Sequence, residues 1–165
     1  MDRAGQSRVL VAGIGNVFRT DDGFGPEVAR RLSALTWPDG VRVVDYGIRG
    51  LHLAYDLLDH WDVLLLIDAL PDRGDVGSVA LLAIADEHVG GDARVDAHSM
   101  DPATVLASLA ALGGRLPART LLVGCSVAET GEGIGLTPVA EAAVDEAVRT
   151  VQALIAAELR PTEVG

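Results

Sequence analysis

The 165-residue chain has a single cysteine, Cys125, and so cannot form an internal disulfide. A chain of this length buries about 70% of the surface its unfolded form exposes, so no staple is needed. A reducing compartment, the cytoplasm, is the expected setting. Basic side chains are scarce, 13 against 24 acidic ones, and the net charge of −11 repels phosphate backbones and anionic lipid surfaces. Nucleic-acid and membrane partners are therefore not expected. No apolar run is long enough to span a bilayer, and the first one, Val9 to Ile14, is short and broken by a glycine.

Several catalytic signatures are also missing. No glycine-lysine-serine or glycine-lysine-threonine triplet is present to cradle a phosphate. Gly13 and Gly15 begin like a dinucleotide fingerprint, but Phe18 stands where its third glycine belongs. Both glycines instead suggest a tight turn with positive φ. There is no His-Glu-x-x-His pair, and Ser126 lacks the second glycine of a nucleophile elbow. Cys125, closing an apolar run, reads as a small buried hydrophobe.

What is present is 49% apolar and 22% charged residues, the balance of one compact soluble domain spanning 1–165, without repeats or low-complexity linkers. Short Val/Leu/Ile runs alternate with segments of helical period, which predicts an α/β/α domain with a twisted, mainly parallel sheet of about five strands. Strands are expected at Val9–Ala12, Val41–Val44, Val63–Ile67, Val79–Ile84 and Thr120–Gly124. Val63–Ile67 has no polar residue on either face and should be central. Helices are expected at Gly25–Leu35, on Phe24, Val28, Leu32 and Leu35, and at Gly50–Leu58, with Leu51, Tyr55 and Leu58 on one side. Two more begin with a cap followed by proline, Asp101-Pro102 running to Leu112 and Thr137-Pro138 running to about Leu159.

Parallel sheets bind ligands beyond the carboxyl ends of their strands, so the polar residues there are the candidates. They are Asp21 and Asp22 after the first strand, Asp68 at the end of the central one, and His98 in a later loop. Singly, each carboxylate could be a cap and His98 an ordinary loop histidine. Together, two carboxylates and an imidazole make a ligand set for a divalent transition metal with open positions. His52, His60 and His88 read as solvated surface residues.

The order Gly13-Ile14-Gly15-Asn16, Asp21-Asp22-Gly23-Phe24-Gly25, Asp45-Tyr46-Gly47, Asp68-Ala69, His98 and Gly135-Leu136-Thr137-Pro138 resembles the hydrogenase maturation proteases. These endopeptidases remove a C-terminal extension from the large subunit of nickel-iron hydrogenases. The resemblance implies metal contacts at Asp22, Asp68 and His98, with nickel supplied by the precursor, so that cleavage follows metal insertion. The first ligand of the family is aspartate or glutamate, and the shorter arm of an aspartate at position 22 leaves Asp21 as the alternative to Asp22. Asn16, Gly47, Arg49 and Gly50 are the candidate substrate contacts, Arg49 standing where many members have threonine. A nickel-binding accessory protein or chaperone without hydrolysis, and a small-molecule metal hydrolase, are the rival expectations.

Overall fold

A computed structural model describes residues 5–72, 74–85 and 102–160. Five strands are seen, β1 (Val9–Ile14), β2 (Val41–Gly47), β3 (Val63–Pro71), β4 (Val79–Ile84) and β5 (Arg119–Val127). Four helices accompany them, α1 (Phe24–Ser33), α2 (Gly50–Asp56), α3 (Pro102–Ala111) and α4 (Pro138–Glu158), and a 3-10 turn, Thr20–Gly23, leads into α1. No described helix is long and apolar enough to cross a membrane.

The sheet order is β2-β1-β3-β5-β4, with β3 in the centre as its unbroken apolar run required. β1 pairs in parallel with β2 and β3, and β3 with β5. β4 alone is antiparallel, running from Val79 opposite Cys125 to Ile84 opposite Thr120. The link between β3 and β4 is too short for the crossover a parallel strand needs, so the chain turns back past β5. As an edge strand β4 leaves Leu81 and Leu82 exposed.

Alternation along the strands divides the core. Val9, Val11, Val63, Leu65 and Ile67 face α1 and α4, where they meet Phe24, Val28, Leu32, Val144, Val151 and Ile155. Leu10, Ala12, Leu64 and Leu66 face α2 and α3, against Leu53, Ala54, Leu106 and Leu109. Two helix expectations need correction. α1 stops at Ser33, so Leu35 lies beyond its end and is exposed. Leu51, Tyr55 and Leu58 do share a side, but it is the outer one, and α2 and the turn after it bury Leu53, Ala54 and Leu57 instead. Leucines occur on both faces of this short helix, so periodicity alone could not choose between them.

α4 begins as expected, the Thr137 side chain accepting a hydrogen bond from the Ala140 amide and Pro138 occupying the first turn. α3 also starts at its proline, and Gly113, with φ +79°, ends it. Its expected cap, Asp101, lies outside the described residues.

Candidate active site

The carboxyl ends of β1, β2 and β3 form one rim, and glycines let α1 start directly above it. A Cβ on Gly25 would fall 2.2 Å from the Ile14 carbonyl oxygen and 2.3 Å from that of Ile67. Gly13 is under the same constraint, since its Cβ would lie 2.4 Å from the Gly25 oxygen and 2.7 Å from Ala29. Only Gly15 of the first pair has positive φ, at +146°, so the turn explanation holds for Gly15 and close packing explains Gly13.

The neighbouring carboxylates Asp21 and Asp22 do different things. Asp21 is 2% exposed. Its two oxygens accept hydrogen bonds from the Thr137 amide and hydroxyl, both at 2.7 Å, tying the 3-10 turn to the start of α4. The Asp21 amide donates to the Glu129 carbonyl. Asp22 is half-buried, and one of its oxygens accepts from the Asn16 amide at 2.9 Å. Neither carboxylate caps the turn or α1. The Asn16 side chain accepts from the Phe18 amide, holding the loop from β1 in a compact bend.

Asp68 is buried at 5% exposure opposite Gly124 of β5. It continues the Leu64–Leu66 face of β3, the side of α2 and α3. The 3-10 turn bearing Asp22 packs against β3, so both carboxylates belong to the same rim. His98, four residues upstream of α3, lies outside the described residues, as does His88. Among the described residues no three His, Cys, Asp or Glu side chains gather to hold a metal.

The β2–α2 connection forms the next part of the rim. Gly47 takes φ +57°, its amide donating to the Asp45 carboxylate and its carbonyl accepting from Gly15. Arg49 folds back onto this loop, with Nη2 2.7 Å from the Asp45 carbonyl oxygen and Nε 3.2 Å from that of Tyr46. Gly50 is buried at the start of α2. Beneath the loop, the fully buried Tyr46 donates to Asp56 at 2.6 Å, and burial holds its hydroxyl far above the ordinary tyrosine range.

His52 and His60 are exposed, beside Asp56 and Asp62. Cys125 is buried and burial pushes its thiol up to about 11, which leaves no thiolate for nucleophilic attack near neutral pH. Sequence reasoning overlooked Gly25 as a packing residue and Thr137 as the partner of Asp21. The Gly-Phe-Gly run before Pro26 was a signal for the first. The second had none, since 116 residues separate the pair.

A family model for hydrogenase maturation proteases matches residues 26–154. The hydrogenase 2 maturation protease of Escherichia coli is 30% identical over 151 residues, covering 90% of each chain. Among solved structures, the E. coli hydrogenase-maturating endopeptidase HybD superposes with a TM-score of 0.74 at 28% identity, over 91% of this chain and 93% of its own. A hydrogenase 2 maturation peptidase from Thaumarchaeota archaeon SCGC_AB-539-E09 gives 0.70 at 32% identity, over 91% of this chain and 99% of its own. Sequence and fold agree over nearly the whole chain, and it belongs to the hydrogenase maturation protease family of endopeptidases.

Proposed function

We propose that the protein, acting as one unit over 1–165 in the cytoplasm, removes the C-terminal extension of a nickel-iron hydrogenase large-subunit precursor once nickel is in place. Nickel arrives with the precursor, and Asp22, Asp68 and His98 contact it. The observation that carries this reading is the packing of the 3-10 turn bearing Asp22 against β3, in which the buried Asp68 is the first residue beyond the pairing with β1, in a chain of the hydrogenase maturation protease family. Asp68 faces the side of the sheet on which α3 lies, and His98 precedes α3 by four residues.

The metal would supply polarisation of the scissile carbonyl or activation of water, and a carboxylate would take the proton that the attacking water loses. Both oxygens of Asp21 are engaged by Thr137, which favours Asp22 for that role and leaves Asp21 to position it. Asn16, Gly47, Arg49 and Gly50 border the same rim and are proposed to receive the substrate backbone. The Arg49 guanidinium is braced on two carbonyls, which fixes its direction on the rim.

The test is the intact mass of the precursor before and after incubation with the protein, with the precursor nickel-loaded in one arm and nickel-free in the other. Loss of a C-terminal peptide in the loaded arm alone is expected. Asp68→Asn and His98→Ala should each abolish that loss while thermal unfolding stays cooperative; full activity in either variant refutes the ligand assignment.

A further inference from the structure

Beside the 3-10 turn lies a cavity of about 300 Å³ with apolar walls formed by Val17, Pro26, Ile134 and Leu136. The two loops that build it are fastened to each other. Gly133 holds the Phe18–Thr20 segment by two backbone bonds across the gap, its carbonyl accepting from the Thr20 amide and its amide donating to the Phe18 carbonyl, both 2.9 Å. The Thr20 hydroxyl donates to the Gly131 carbonyl at 2.8 Å, and Arg19 Nε to that of Thr130 at 3.0 Å. The walls are thus in place before any ligand arrives, which removes part of the ordering cost of binding.

These loops hold apolar side chains in water. Val17 is 44% exposed, Phe18 64% and Ile134 82%. Exposed apolar groups clustered on a fixed backbone mark a surface that another molecule covers. Thr20 and Gly23, which also line the cavity, belong to the turn that carries Asp22, so the cavity opens within one turn of the proposed metal contact. Glu27, Glu141, Asp45 and Arg30 border it. Arg30 and Arg31 pair with the two glutamates, whereas Asp45 enters no ion pair among the described residues. The mouth is left negative and disfavours an acidic occupant.

We propose that this cavity is a substrate subsite that receives a large apolar side chain flanking the scissile bond, carried on a precursor segment poor in acidic residues. This deepens the proposed function and rests on it. A hydrophobic pocket of this kind discriminates by roughly 10-fold or more between a fitting side chain and an ill-fitting one.

The experiment is steady-state cleavage of the nickel-loaded precursor, followed by intact mass, for the parent protein, Ile134→Asp, Val17→Asp and a control, Leu35→Asp, at the far end of α1. Ile134→Asp and Val17→Asp should raise KM about 10-fold with kcat and Tm near parental values, while the control changes neither. In a second arm, the apolar residues flanking the scissile bond of the precursor are replaced by aspartate one at a time. One of these precursors should reproduce the loss with the parent protein, and Ile134→Asp should add little to it. Parental KM in both cavity variants, or full additivity with every altered precursor, overturns the subsite. A change in oligomeric state of Ile134→Asp with KM unaltered also overturns it, assigning the patch to contact between copies. Failure of the parent protein to cleave any loaded precursor removes the proposed function itself, a result distinguishable from cleavage that ignores the cavity variants.

Discussion

Asp21 and Asp22 are adjacent in sequence and chemically identical, yet their surroundings assign them different work. Asp21 is buried and accepts two hydrogen bonds from Thr137, and a charged acceptor makes each of these stronger than a neutral bond. Asp21→Asn should lower stability by about 2 kcal/mol, because the amide cannot accept at both positions. Thr137→Val removes the hydroxyl partner and the cap of α4 and should cost a similar amount. Combined, the two should cost less than their sum, since they remove overlapping interactions. Urea unfolding of the two single variants and the double variant measures this, and simple additivity would show that the pair does not act as a unit.

At the scale of elements, the position of α1 decides where the site lies. Gly25 brings the first turn of the helix against the carbonyls of Ile14 and Ile67, and both obstacles to a Cβ there are backbone atoms. Gly25→Ala should therefore destabilise the fold by about 1–3 kcal/mol, and a Tm equal to that of the parent would contradict the close approach. Further along α1, Glu27 bonds Arg30 and Arg31, and Arg31 also reaches Glu141 and Asp145 of α4. The Arg30 bond is the largest influence on the Glu27 carboxyl and, with Arg31, holds it below its ordinary value of 4.5. A carboxylate with a depressed folded-state pKa adds stability above its unfolded value, lost as pH falls through the folded one. Glu27→Gln should thus lower Tm at pH 7 but match the parent at the acid end of a pH series, with a smaller difference in high salt. A gap that persists at low pH would point to packing instead of charge.

For the whole molecule, much was legible in the chain. The apolar runs placed all five strands, and the lack of any polar residue in Val63–Ile67 located the centre of the sheet. Proline at the helix starts and Thr137 at the cap placed α3 and α4, because capping is a contest between a side chain and the backbone within a few residues. Cys125 was readable as a buried hydrophobe for a similar local reason. Sequence proposed the candidate residues as polar groups following apolar strands, but β3 continues past Ile67 to Pro71 through its pairing with β5, so Asp68 lies within the strand instead of after it. Tertiary structure alone decided which side of α2 faces the core, since Leu51 and Leu53 are equally apolar and only the neighbouring sheet and α3 distinguish them. It also decided that β4 pairs with β5 at the edge of the sheet and that Asp21 is engaged by a threonine 116 residues away, leaving Asp22 beside Asn16 on the rim. Local propensity and periodicity are written within a few residues of chain, whereas the neighbour of an edge strand, the buried face of a helix and the partner of a carboxylate depend on what packing brings across long sequence separations.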